Sequence, residues 1–427
     1  MKNQGFEASY YANTANQNIR FPSLEGDQET DVCIIGGGYT GLSAALHLSE
    51  KGYRVTLLEA HRIGSGASGR NGGQLCQGHN MSHAALSQKV GKHYADLLWD
   101  MSVESVELVK HLIHQHQIDC DIKPGVLHVA AKASHVEDIQ QAVDYKRNTL
   151  GYQKVHYLTK HDVSAALGTS HFHGGELYED GAHIHPYNFS LGLAKAAQKS
   201  GVQLFEMSEV VHYQGGNQPS IQTPRGTVKA SYLLFACNGY LGKLHPQAAK
   251  KIMPINNFIL ATEPLPEAVY NRINPQDYAI ADSKFVVNYF RLSADKRLLW
   301  GGGENYRSRF PKDIASFVKK HMLEVYPELT NTKIDFSWGG TLAITLNRMP
   351  YLAHQEKNVF IAQGYSGHGV ALATLTGKLM AEAVSGTAER FDVFSSVPCA
   401  NFPGGTLLRW PGQVAGMLYY SLRDRFF

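Results

Sequence analysis

Three glycine clusters in this 427-residue chain have the spacing that lets a backbone close on a phosphate or a flat ring. The first is Gly36-Gly37-Gly38-Tyr39-Thr40-Gly41, a G-x-G-x-x-G pattern with Glu59 lying 23 positions after Gly36. Gly36 permits a tight turn, Gly38 admits a pyrophosphate to the backbone, and Gly41 permits close packing of helix on strand. A helix starting at that turn aims free N–H groups and its positive end at an anion. Glu59 stands where a carboxylate accepts hydrogen bonds from a ribose. Together these residues predict a site for an ADP moiety and leave nicotinamide and flavin dinucleotides both open.

The second cluster, Gly64 to Gly73, follows that acid directly. Its backbone N–H groups can wrap a phosphate or ring, Arg70 adds a cation, and Asn71 can both donate and accept. Gly64–Gly69 also spells G-x-G-x-x-G, but Ala60-His61-Arg62-Ile63 before it makes no strand, so only the first match has its full context. The third cluster is Gly364-Tyr365-Ser366-Gly367-His368-Gly369. A helix N-terminus placed there can stabilise negative charge on the N1–C2=O edge of a reduced flavin. His111, His114 and His116 are also close together, but i, i+3, i+5 does not set three ligands on one helix face, so no metal is expected.

The elements that position these clusters follow from apolar periodicity. Val32–Ile35 is a short apolar run before the first turn; Leu42, Ala45, Leu46 and Leu48 make a helical stripe; Val55–Leu58 is a second run. Tyr232–Ala236 is fully apolar and ends in Cys237-Asn238-Gly239, the pattern of a buried parallel strand entering a ligand crevice. Asn358–Ala362 gives another buried strand and Val370–Val384 a helix. His185-Pro186 opens a helix to about Lys199. Residues 84–117 and 134–150 read as helical, and 125–131 and 174–179 as strands, the latter ending at an Asp180-Gly181 turn. Shorter strands are expected at 202–206, 210–213, 220–223 and 227–230. Residues 255–345 are β-rich, with strands at 255–261, 285–292, 297–301 and 333–341 around a helix at 311–326. The polar leader, residues 1–30, is expected to lie across the surface with Tyr10 and Tyr11. The aromatic and basic tail 407–427 is expected to pack on the parent domain, because Pro411 and Gly412 break an interfacial helix.

Composition narrows the function. A net charge of +3 with no basic patch interleaved with aromatics argues against nucleic acid as a partner. Five scattered cysteines without a C-x-x-C pair argue for a reducing compartment and against a disulfide framework. No apolar run reaches the roughly 18 residues of a membrane span, and the leader lacks a secretory apolar region. A cytoplasmic location is therefore expected.

At the three glycine clusters the chain resembles the FAD-dependent amine and amino-acid oxidases of the D-amino-acid oxidase/sarcosine oxidase superfamily. Further strings carry the resemblance toward both ends: SYYANTAN, HIHPYN, YFRLSADKRLLWGGG, NRMP, ERFD, FPGG and YYSLRDR. Within the superfamily these strings are most similar to the branch acting on γ-glutamylputrescine. The resemblance implies an α/β composite fold, a Rossmann-like FAD-binding domain of glutathione-reductase type with an inserted antiparallel β-sheet substrate domain. Residues 1–95, 155–250 and 345–427 would form the first and 96–154 with 251–344 the second. It implies oxidative deamination of a small primary amine, with molecular oxygen as acceptor and aldehyde, ammonia and hydrogen peroxide as products. FAD contacts are expected from Gly36, Gly38, Tyr39, Thr40, Gly41, Glu59, Ala60, Gly66, Ala67, Ser68, Arg70, Asn71, Gly72, Gly73, Val210, Asn238, Gly239, Gly364, Ser366, Gly367, His368 and Gly369. Arg291 is the implied carboxylate-binding strand arginine. Tyr289, Trp300 and Tyr306 would line an aromatic slot, and His185 and His368 are the histidines expected beside the flavin. Two departures follow. Neither loop offers a tethering cysteine, so FAD is expected to be non-covalent. Leu298–Gly303 carries no lysine over the ring, which leaves the oxygen-activating group unassigned and a quinone acceptor open. The oligomeric state is not set by the sequence.

Overall fold

The computed structural model describes residues 5–305 and 310–406. Two sheets organise them. The first has eight strands, and its path runs Tyr351–Glu356, Val359–Gln363, Gly226–Phe235, Gln28–Ile35, Val55–Leu58, Gln203–Phe205. From Val359–Gln363 onward every pair on that path is parallel. Strands buried on both faces must be apolar throughout. Val32–Ile34 and Leu57 accordingly expose nothing to solvent. Helices Tyr39–Glu50, Pro186–Lys199, Lys92–Gln115 and Gly369–Val384 share one apolar core against this sheet.

The second sheet has nine strands in the order Ile334–Ile344, Met253–Thr262, Leu298–Asn305, Tyr289–Leu292, Ala279–Asp282, Lys123–Val129, Gly174–His183, Gln74–Leu75, with Val155–Thr159 also paired to Gly174–His183. It was expected to be antiparallel. One pair, Ala279–Asp282 with Lys123–Val129, is parallel, and the long segment between them supplies the crossover that a parallel pair needs. One face carries Phe290, Trp300 and Leu127 into a core shared with helix Ile314–Val325. The other face turns toward the first sheet's glycine turns.

Several expectations are corrected by tertiary structure. The helical stretch 84–117 is two helices, His83–Val90 and Lys92–Gln115, broken at Gly91 with φ +85°. The Asp180-Gly181 turn lies inside strand Gly174–His183, where extra residues bulge out opposite Pro124–Val126. The strands at 227–230 and 232–236 are one continuous strand. Strands Val155–Thr159 and Gly174–His183 pair in the second sheet, and Lys92–Gln115 packs with the first, so the expected cuts at 155 and 96 do not follow the sheets. The leader is not a surface strap: Tyr10 and Tyr11 are buried in an apolar cluster with Tyr187 and Trp338. Tyr306 and the tail 407–427 lie outside the described residues.

Candidate active site

The first glycine turn is built as tightly as its spacing demands. Gly36 has φ +113°, and a Cβ there would come 2.6 Å from the Ala236 carbonyl oxygen. A Cβ on Gly41 would sit 1.9 Å from the carbonyl oxygen of Gly36, so only glycine lets helix Tyr39–Glu50 start this close to the strand. Gly38 caps that helix with no side-chain bond. Ser68 Oγ accepts the Tyr39 N–H at 3.0 Å, bringing the second cluster onto the helix N-terminus. Glu59 accepts the Gly37 N–H at 2.7 Å and the His61 N–H at 2.9 Å. Burial raises its pKa and these two N–H bonds oppose the rise. The carboxylate is thereby fixed at the end of its strand with lone pairs left to accept ribose hydroxyls.

The third cluster closes the other end. Gly364 N–H donates to Asn238 Oδ1 at 2.9 Å, and Ser366 N–H to the Ala343 carbonyl at 3.0 Å. Asn238 and Ser366 both adopt positive φ, +43° and +53°, in this junction. Helix Gly369–Val384 begins there with no side-chain cap. Tyr365 Oη and Thr40 Oγ1 are 2.6 Å apart, tying the two helix N-termini together. Between them lies a cavity of about 570 Å³, within the range of cofactor pockets. It runs from Glu59, Ala60 and Val210 past Gly36, Gly38, Tyr39, Thr40, Gly66, Ala67, Ser68 and Asn71 to Asn238, Ser366, Gly367 and Gly369.

The remaining expected cofactor contacts stand behind this wall. Gly72 makes room for the Tyr289 ring, Gly73 for the Ile184 carbonyl, Gly364 for Thr345 and Gly239 for Leu342. Arg70 does not face the cavity. It is 4% exposed and donates to the carbonyls of Ser65 and Gly339, stitching the second loop to strand Ile334–Ile344. Sequence reading missed Tyr240, Leu342, Ala343 and Cys237, which also line the cavity. They reach it through tertiary contact from strand ends, and only the position of Cys237 at the end of an apolar run hinted at its place.

The expected catalytic residues divide. Tyr289 lies against Gly72 and Gly301 and donates from Oη to Asn257 Oδ1 at 2.6 Å. His368 N–H chemistry is spent locally: Nε2 donates to the Cys76 carbonyl at 3.0 Å, and burial lowers the ring's pKa. Three assignments are corrected. Arg291 is 3% exposed, and Nε, Nη1 and Nη2 donate to the carbonyls of Gly72, Leu292 and Ile184 and to Tyr11 Oη. Those carbonyls consume the fork a substrate carboxylate would need. His185 caps helix Pro186–Lys199, accepting the Asn188 N–H at Nδ1, while Nε2 donates to Thr14 Oγ1. Burial, then the charge of Arg291, push its pKa down to about 3. Trp300 is fully buried on the far face, stacked on Phe290 at 4.4 Å. Trp300 pairs across strands with Phe290, the residue after Tyr289, so alternation sends Tyr289 and Trp300 to opposite faces.

These features define a dinucleotide-binding flavoenzyme fold. A family of FAD-dependent oxidoreductases, DAO, matches residues 31–383, and the chain belongs to it. It is 40% identical over 420 residues to the gamma-glutamylputrescine oxidoreductase of Escherichia coli (strain K12), covering 98% of each chain. It is 37% identical to a probable oxidoreductase, OrdL, of Haemophilus influenzae over 98% of this chain and 97% of that one. The crystal structure of glycine oxidase from Geobacillus kaustophilus superposes with a TM-score of 0.71 at 21% identity, over 84% of this chain and 95% of that chain. The cofactor is FAD, and the glycine cradle, the fixed Glu59 and the two helix N-termini on one elongated cavity fit it. Among the described residues no group of His, Cys, Asp and Glu could hold a metal ion, and no helix is long and apolar enough to cross a membrane.

Proposed function

We propose that this enzyme oxidises the terminal primary amine of γ-glutamylputrescine. With dioxygen and water, the products are γ-glutamyl-γ-aminobutyraldehyde, ammonia and hydrogen peroxide. The observation that carries this reading is 40% identity to the Escherichia coli enzyme across 98% of both chains. The chemistry FAD supplies is acceptance of two electrons from the carbon bearing the amine.

The chain's own residues bind and orient. The first sheet and its helices hold the cofactor through the cavity residues named above, and the second sheet covers the reacting end. Gly36–Thr40 and Ser68 take the pyrophosphate, Glu59 the ribose, and the N-terminus of Gly369–Val384 the polar edge of the ring. Tyr289, wedged against Gly72, forms the wall where the amine-bearing carbon rests and water is excluded. His368 stays neutral and ties the ring-edge helix to the strand Gln74–Leu75 through Cys76. All five cysteines are free, which supports a reducing, cytoplasmic setting.

Anaerobic addition of γ-glutamylputrescine to the purified yellow protein tests the proposal. Bleaching followed by rapid recovery in air with stoichiometric peroxide is expected. Flavin that does not bleach defeats the substrate assignment. Bleaching that only a quinone reverses at speed makes the enzyme a dehydrogenase.

A further inference from the structure

The binding of the substrate's other end is unassigned, because Arg291 is committed to backbone carbonyls. The site-facing side of the second sheet offers a different cation. Register pairs Gly301 with Tyr289, Tyr289 with Ala281, Ala281 with His128, and His128 with Glu176. These five residues form one straight row across five strands on one face. Tyr289, Ala281 and His128 are partly exposed, whereas Val126, Leu127 and Val129 beside them are buried. Ala281 is the small member of the row, between Tyr289 and His128.

The far end of the row is polar. Glu176 accepts Lys146 Nζ at 2.6 Å, Tyr178 Oη at 3.3 Å and faces His128 Nδ1 at 3.4 Å. Lys146 also lies over the Tyr178 ring. One carboxylate thus serves both Lys146 and His128. His128 keeps 33% of its side-chain surface accessible while Glu176 keeps 10%. The imidazole is therefore more accessible than the carboxylate to a ligand lying along the row. Burial opposes its charge, while Cys76, by charge and hydrogen bond, and then the Glu176 carboxylate raise its pKa. His368 also faces it, and burial lowers the pKa of that ring; the Tyr178 ring lies edge-on to His128 at 5.6 Å.

We propose that His128, fixed by Glu176 and flanked by Lys146, binds the carboxylate of the substrate's glutamyl end while the amine-bearing carbon lies at Tyr289. This rests on the substrate reading above and deepens it. The lengths agree. Two strand spacings separate Tyr289 from His128, about 10 Å. About nine bonds separate the reacting carbon of γ-glutamylputrescine from its carboxyl carbon, about 11 Å at 3.8 Å per three bonds. His128 is a specificity residue here and takes no part in the oxidation.

The test compares γ-glutamylputrescine with N-acetylputrescine, which has the same amine and amide but no carboxylate, in the wild type and His128→Gln. A charge-assisted bond of this kind predicts that KM for γ-glutamylputrescine rises about 10- to 100-fold with kcat nearly unchanged, while N-acetylputrescine kinetics do not move. Equal losses for both amines would overturn the proposal, since a merely structural histidine affects them alike. A binding readout is independent of turnover: glutarate is titrated against the visible spectrum of the oxidised holoenzyme. Saturable perturbation in the wild type that is lost in His128→Gln sustains the subsite even if γ-glutamylputrescine proves not to be oxidised. Turnover of γ-glutamylputrescine with no preference over N-acetylputrescine refutes the subsite and leaves the activity standing.

Discussion

Arg291 separates two kinds of arginine, and replacing it shows which kind it is. The guanidinium donates to the carbonyls of Gly72 at 2.9 Å, Ile184 at 3.0 Å and Leu292 at 3.0 Å. Arg291→Met keeps much of the apolar stem and leaves all three oxygens buried without a donor. Each bond to a charged group is worth about 1.5–3 kcal/mol. Such bonds do not add fully, so a loss of about 4 kcal/mol is expected. For a chain this long, at about 1–2 °C per kcal/mol, melting falls by about 4 to 8 °C. The Gly72 carbonyl belongs to the loop that follows Asn71, so flavin retention falls with it. Thermal melting at a fixed scan rate is read beside steady-state kinetics on the same holoenzyme. An unchanged melting temperature together with a tenfold higher KM would refute the reasoning and return Arg291 to the substrate.

Gly41→Ala puts a carbon 1.9 Å from the Gly36 oxygen. Relief to an ordinary contact of about 3.3 Å needs a shift of about 1.4 Å; the protein is expected to purify colourless, and a yellow variant with wild-type flavin content contradicts the close-packing argument. His185 binds a proton with a pKa of about 3 when folded and about 6.5 when unfolded. The unfolded chain therefore takes up the extra proton, so stability is full above pH 6.5 and falls as pH drops toward 3, by about 2 kcal/mol at pH 5. His185→Asn, which can still cap the helix, should show a shallower loss between pH 7 and pH 5 in denaturant melts, and an identical slope would rule out this source. Acid precipitation should leave the flavin in the supernatant; colour remaining with the pellet means a covalent bond.

The cofactor half of the fold was legible because it depends on local order. Glycine spacing, apolar runs and the acid at position 59 are properties of contiguous sequence, and the structure sets them where those properties require. The second sheet was harder to read. Its strand Ala279–Asp282 is short, Val155–Thr159 alternates weakly, and Gly174–His183 runs through an Asp-Gly pair that usually turns. The side-chain roles of Arg70, Arg291 and His185 were misread for a shared reason. Each is a polar residue next to a predicted ligand, and only the three-dimensional structure shows that backbone groups already occupy it. The reverse holds for His128 and Glu176, which are 48 residues apart and gain meaning only through strand register.

The centre of the first sheet joins strands that begin at Gln28, Gly226 and Val359. About 330 residues separate the first of these from the last. At 5–20 residues per second, roughly 15 to 65 seconds of synthesis pass before the flank supplied by Val359–Gln363 exists. Throughout that interval the nascent chain carries an apolar parallel edge with no neighbour and half a flavin cradle with no closing helix. The flavin cradle is therefore complete only when translation is nearly finished.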